Sequence, residues 1–327
     1  MIKQDKKKTF NIKDLRDLEP VAKMIIDEDD YGNYYNELIG FFNGETYSSK
    51  EGLGRAYDFI KNIDSNMMDY IFNKVKIETK KDMWKYIYSY NKKEPGLIYN
   101  NPSDYGSLLL PVIKNEKDLL YAINKLVLAY IKKSGNTSLD DRIIPYFISL
   151  LAETKMPQYN TIDIISRKYK DIQDIRYVSS AILDICEKIA SSVELDDNLN
   201  SEQINKFLYN SGYYTICFDE ERLYQKGDIY NHICGEKRLL NERYVQISIL
   251  RGYFMAVLLL NKYKDPYERL ILAKELVQNK SNCLDYLTKL NIGNINDENN
   301  LASITKYMKD YNEMAKPFYK VYSSEKR

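Results

Sequence analysis

The sequence predicts a mainly α-helical, multi-helix globular protein with a buried central helix in its second half and at most one small β-hairpin. Three observations carry that prediction. Apolar residues recur at helical spacing over 115–133, 175–190, 238–262 and 266–278. Strand signals at regular spacing are absent, and only "YYTICF" (213–218) is rich enough in aromatic and β-favouring residues to read as an isolated strand. The 327 residues are 44% apolar and 29% charged, which suits a soluble chain able to bury a sizeable core.

Residues 1–10 read as a basic, solvated tail. Pro20 sits where a first helical turn tolerates it, so "DLEPVAKMIIDEDD" reads as a short helix. "YNELIGFFNGETYSS" is expected to continue that helix as far as Gly44. Ser49 is the expected cap of the next segment, where Ala56, Phe59, Ile60 and Ile63 share a face. "DMWKYIYSY" is another short helix, and 91–106, with two prolines and two glycines, is a loop.

Asn115 is the expected cap of a helix whose stripe is Leu119, Leu120, Ile123, Leu126, Val127 and Tyr130. Ser138 is the expected cap of "LDDRIIPYFISLLAE", in which Pro145 kinks the helix or delays its start. "TKMPQYNT" is a loop and the expected boundary between an N-terminal helical lobe, 11–156, and a C-terminal helical lobe, 157–327. The segment 238–262 is apolar on nearly every side in its second half, which predicts the buried central helix. Asp265 caps a helix that opens on Pro266, "NIGN" stops the next one, and Pro317 ends the last.

Composition excludes some functions. With 48 Lys and Arg against 47 Asp and Glu, the net charge is +1, so no global field draws nucleic acid or an anionic membrane. The longest apolar run, 249–260, is too short to span a bilayer and holds Arg251, for which a buried ion pair, an anion contact and simple snorkelling are the readings. The basic start lacks the apolar run of a secretory signal, and four unpaired-looking cysteines do not form a disulfide framework. A soluble, cytoplasmic protein without membrane partners is the expectation. The 31 tyrosines against 10 phenylalanines suit either a ring-rich recognition surface or an AT-rich coding bias, and their even spread favours the bias.

The chemistry-bearing residues are few. The single histidine, His232, lies near Cys217 and Cys234, but the gap between His232 and Cys234 is not the spacing of a zinc site, and Cys283 stands far away. A Cys217–His232 nucleophilic pair, oriented by Asp228 or Glu236, needs the fold to gather it. Small buried thiols are the simpler reading. The acidic run Asp27–Asp30 points in too many directions for a two-metal site. Asp69, Glu78 and Lys80 match a loose magnesium-nuclease pattern that this composition also yields by chance, as Glu153 with Lys155 shows. No cofactor and no metal is expected.

Two clusters remain. Gly52, Gly54 and Arg55 could form an anion-binding turn at a helix start. Arg167, Lys168, Lys170 and Arg176 could neutralise phosphates while Tyr169 and Tyr177 stack on bases, with Lys6, Lys7 and Lys8 as a flexible supplement; Asp171 and Asp174 dilute the patch. The favoured function is a non-catalytic helical interaction subunit of a larger assembly. Its partners are other protein subunits, with RNA or DNA bound weakly by the chain alone. A nucleic-acid-handling complex of the CRISPR or viral nucleoprotein type is its most concrete form, although no motif singles out either. The alternatives are a metal-dependent nuclease or thiol enzyme, and a viral or parasite structural or host-interaction protein.

Overall fold

The computed structural model describes residues 16–27, 34–38, 47–80, 97–98, 107–133, 142–155, 239–315 and 319–323, together with isolated helical positions at 175, 179, 182, 183, 186 and 187. Most of these residues are helical. The protein is mainly α, as its apolar periodicity requires, with short strands gathered into two small sheets.

Helix α1 (Glu19–Asp27) carries Pro20 in its first turn and buries Val21, Ala22 and Ile25. The helix expected to continue beyond it is instead interrupted: Tyr34–Leu38 is a strand, β1, paired antiparallel with β5 (Tyr319–Ser323) so that Tyr34 faces Ser323 and Leu38 faces Tyr319. Gly32 precedes the strand, and its two tyrosines favour extended backbone. Its partner lies almost the whole chain away, so helical spacing could not reveal it.

Helices α2 (Ser49–Ile63) and α3 (Ser65–Lys74) divide what reads in sequence as one segment. Asp64 divides them. Its backbone N–H donates to the Ile60 carbonyl at the end of α2, and its carboxylate accepts from the Met67 N–H, 2.8 Å away, at the start of α3. The cap of α2 is Ser48, one residue earlier than expected, accepting from the Glu51 N–H at 3.3 Å. The three-stranded sheet has the order β2 (Lys76–Lys80), β4 (Ser107–Pro111), β3 (Leu97–Ile98), with β2 parallel and β3 antiparallel to β4. Thus Leu97 and Ile98, within the expected loop, form a short strand.

Helix α4 (Glu116–Lys133) starts where Asn115 predicts: its side-chain oxygen accepts from the Asp118 N–H at 3.1 Å. Helix α5 (Ile143–Glu153) has Pro145 in its first turn, so the proline delays the start instead of kinking the helix, and Ser138 lies outside the described residues. Helix α6 (Leu239–Lys262) buries every residue from Leu250 to Leu259 except half-buried Arg251. Helix α7 (Pro266–Gln278) opens on Asp265, whose carboxylate accepts from the N–H groups of Tyr267 and Glu268 at 2.8 and 3.0 Å. A 3-10 turn (Lys280–Asn282) leads to α8 (Cys283–Lys289). Just past its end, Asn291, with a φ of 56°, supplies the left-handed turn while the Ile292 N–H reaches back to the Leu287 carbonyl. Helix α9 (Glu298–Ala315) completes the set.

The hub is α5. It packs against α4, α6 and α7; α4 in turn receives α2, α3 and β4, α6 receives α9, and α9 receives α1. Buried residues from both sides of the expected lobe boundary, such as Ile123, Phe147, Phe254 and Leu276, belong to one hydrophobic cluster. Where α6 passes the start of α5 the backbones touch: a Cβ on Gly252 would lie 2.8 Å from the Arg142 Cβ and 2.9 Å from its carbonyl carbon. Several tyrosines join this core. Tyr253 is fully buried, stands edge-on to Tyr146 and Phe254 at 5.4 and 5.5 Å, and shares a hydrogen bond of 2.7 Å with the Tyr307 hydroxyl.

Candidate functional site

The two expected clusters fare differently. Arg167, Lys168, Tyr169, Lys170, Arg176 and Tyr177 lie outside the described residues, as do Lys6, Lys7, Lys8, Cys217, His232 and Cys234. Near that cluster, Ile175, Ile182 and Cys186 are helical and buried, and the Ser179 hydroxyl donates to the Ile175 carbonyl at 2.8 Å. Burial pushes the Cys186 thiol up to about 12, with Glu19 adding to the shift and Arg16 opposing it.

Gly52, Gly54 and Arg55 all lie within α2 and not in a loop before it. The Gly52 N–H already donates to the Ser48 carbonyl at 2.9 Å. Gly54 is deeper in the helix, where backbone N–H groups are used internally. The Arg55 guanidinium is engaged twice, with the Glu51 carboxylate at 3.0 Å and over the Tyr47 ring at 4.7 Å from its centroid. Asp69 is exposed on α3, whereas Glu78 on β2 pairs with Lys76 at 2.9 Å. Among the described residues no three His, Cys, Asp or Glu side chains stand together as a metal-binding group.

What the structure does assemble is a polar knot at the start of α4. The Tyr47 hydroxyl donates to Glu116 Oε1 at 2.8 Å, and the Tyr47 N–H donates to the Lys114 carbonyl at 2.8 Å. The Lys114 N–H donates to Asp118 Oδ2 at 3.2 Å. Glu116 and Asp118 are buried, and Glu116 Oε2 has no hydrogen-bond partner among the described residues. Burial, reinforced by the bonded Glu116 carboxylate, raises the Tyr47 phenol well above its ordinary value. Burial also raises the Asp118 carboxyl, against the opposing pull of the Lys114 N–H and the Lys117 and Lys114 charges. The knot ties the entry of α2 to the entry of α4. Sequence reading identified Asn115 and missed Tyr47 and Glu116, because 69 positions separate that pair and neither stands in a motif.

A second feature lies on the outside. Helix α7 buries Leu272, Ala273, Leu276 and Val277, yet Tyr267 and Ile271, one turn apart on its outer side, are 71% and 40% exposed. Lys264, Glu268 and Lys274, each three positions from one of the pair, are exposed too. The far end of α6 beside this helix is fixed by Arg269, which donates to the Leu260 and Tyr263 carbonyls at 2.9 and 2.5 Å. Tyr267 and Ile271 therefore stand on a rigid support. The signal was available in sequence as an apolar pair out of phase with the buried stripe. Among the described residues no helix is long and apolar enough to cross a membrane. No known protein family, characterised protein or solved structure matches the chain.

Proposed function

We propose that the chain is a non-catalytic, mainly helical interaction subunit of a larger, intracellular assembly that handles nucleic acid. The observation that supports the protein-binding half is the Tyr267–Ile271 pair. Aromatic and aliphatic side chains held out on a well-anchored helix, ringed by charges, have the composition of an interface core with a polar rim. The nucleic-acid half draws on the sequence of 166–177, where four cations and two tyrosines fall within twelve residues. Such a patch binds through phosphate neutralisation and base stacking, and a chain of net charge +1 binds weakly without partners.

The test is purification of the tagged protein from its native cells beside two variants, Tyr267→Ala/Ile271→Asp and Arg167→Ala/Lys168→Ala/Lys170→Ala. The reading expects the first variant to lose copurifying subunits and the second to lose nucleic acid. Fluorescence anisotropy with labelled oligonucleotides then compares the isolated wild type and the triple variant at low and high salt. Wild-type binding should fall steeply with salt, and the triple variant should bind more weakly with a shallower slope. A wild type that brings down no other macromolecule, or variants indistinguishable from it, would overturn the reading.

A further inference from the structure

The outer side of α7 carries a regular pattern. Tyr267, Ile271, Lys274 and Gln278 are all exposed, and they follow one another at steps of four, three and four residues. That spacing keeps side chains in line along one helix face and is the spacing of a seam between two paired helices. The opposite side, with Leu272, Ala273, Leu276 and Val277, is already spent on the core. Tyr267 and Ile271 supply the apolar part of the outer seam, at 71% and 40% exposed.

The charges on this side are arranged about Ile271. Glu268 lies three positions before it and Lys274 three positions after it, and both are exposed. Turned end for end, the face keeps Ile271 at its centre and exchanges the signs on either side. A surface with that property is complementary to itself under a twofold rotation, which is what an isologous contact requires. Parallel pairing of two such helices would set glutamate beside glutamate and lysine beside lysine. Antiparallel pairing sets each glutamate against a lysine.

We propose that this face of α7 binds a second copy of the chain, antiparallel, about a twofold axis at Ile271. The inference rests on the reading of Tyr267 and Ile271 as an interface core and names the partner. The two Ile271 side chains meet on the axis, and Glu268 of each copy pairs with Lys274 of the other. Tyr267 of each copy falls against position 275 of the other. There the Tyr286 hydroxyl donates to Glu275 Oε2 at 2.6 Å, so the incoming ring meets a carboxylate that is already hydrogen-bonded and a second ring beside it. The 13 residues of α7 make only about 20 Å of helix, so the pairing is weak and reversible and the dilute chain is monomeric.

The test is sedimentation equilibrium of the purified full chain from dilute to near-millimolar concentration. The average mass should rise from one chain towards two. Ile271→Asp puts two carboxylates on the axis and should abolish the rise. Glu268→Lys and Lys274→Glu each turn two attractive contacts into repulsive ones and should each weaken the dimer about tenfold. The double variant Glu268→Lys/Lys274→Glu restores opposite signs and should recover the wild-type dissociation constant. An equimolar mixture of the two single variants should associate more tightly than either alone, because a chain with two lysines at these positions then meets a chain with two glutamates. Thermal unfolding of the dilute charge variants serves as the control and should match the wild type. A chain that stays monomeric at every concentration, single reversals that leave the dimer unchanged, or a double reversal that fails to restore it would each overturn the pairing. A monomeric wild type still leaves contact with a different protein on α7, which the copurification reads separately. A dimer that brings nothing else down from cells would remove the larger assembly and keep the pairing.

Discussion

Helices α4 and α7 look alike in sequence and differ in the fold. Each has a clear apolar stripe, a side-chain cap and charged residues opposite the stripe. Yet from Asn115 to Lys132 every side chain of α4 is buried except half-buried Lys117, including Glu116, Asn124, Lys125 and Lys132. Helix α7 buries its stripe and holds two large apolar side chains outside. An apolar stripe therefore tells which face packs first and is silent about whether anything covers the other face. On α4 the consequence is a buried polar surface, which must find partners or lose stability: Lys125 lies 5.4 Å from the Tyr121 ring centroid, and Asn124 Nδ2 has no hydrogen-bond partner among the described residues. On α7 the consequence is an exposed apolar pair, which costs little in the isolated chain and becomes useful when a partner arrives.

The sharpest way to break this contrast is to cut into the face that both readings agree is core. Leu126 on α4 is fully buried between the elements that meet there. Leu126→Ala is expected to cost about 2–5 kcal/mol in denaturant unfolding, the loss of buried apolar surface plus the cavity left behind. A loss below about 1 kcal/mol would mean that α4 is not the enclosed element described here.

The second prediction separates two neighbours that sequence reading placed in a single anion-binding turn. A Cβ on Gly52 would lie 2.5 Å from the Ile113 carbonyl oxygen and 2.7 Å from its Cγ2, so the start of α4 and the start of α2 would have to part. Gly52→Ala should destabilise by about 1–2 kcal/mol even after the helix-propensity gain of up to about 1 kcal/mol. A Cβ on Gly54 meets nothing within 4 Å, so Gly54→Ala should stabilise by about 0.5–1 kcal/mol. Thermal unfolding of the two variants reads opposite signs, and equal signs would contradict the packing of α2 on α4 and on Ile113 before it.

These examples also mark how far the sequence could be read. Asp265 with Pro266 and Asn115 with its apolar stripe were legible because a cap acts within four residues of itself. The β1–β5 pairing was not, since it joins residues nearly 300 positions apart and the local signal around Tyr34 is shared between helix and strand. The polar knot was illegible for the same reason: Tyr47 reaches Glu116 only because α2 lies on α4. The glycines were visible as glycines, but their purpose depended on what stood 3 Å away. As for the cationic cluster at 166–177, its chemistry is written in its residue types and its position in the fold is not.

The third prediction concerns the buried charge on α4. Burial raises the Asp118 carboxyl above its ordinary value, so the folded state prefers the protonated form. Its contribution is fully present below the unfolded carboxyl value and is lost as pH rises through the higher folded value. Asp118→Asn removes the titration while keeping an oxygen that can accept from the Lys114 N–H. The variant should gain on the wild type between acid and neutral pH in chemical denaturation, by a modest amount because the Lys114 N–H and the Lys117 and Lys114 charges offset part of the burial cost. An advantage that does not change with pH would show that Asp118 titrates alike in both states.

The smallest effect on the isolated chain belongs to α7, and its smallness is the point. Tyr267 and Ile271 are 71% and 40% exposed, so Ile271→Asp and Tyr267→Ala remove little buried surface. The Tyr267 N–H still reaches Asp265, because that bond is made by the backbone. Ile271→Asp adds a charge in mid-helix beside Lys274 and Glu268, an exchange of weak surface interactions worth a few tenths of a kcal/mol. Each single variant should therefore unfold within about 0.5 kcal/mol of the wild type. The same pair, if it is the core of an interface, should account for far more of the binding energy, since desolvated aromatic and aliphatic anchors dominate such contacts. Stability and association measured on the same two proteins decide the matter. Unchanged stability with lost association places an interface on α7. A large loss of stability would mean that Tyr267 and Ile271 pack within the chain, and α7 would then be enclosed as α4 is.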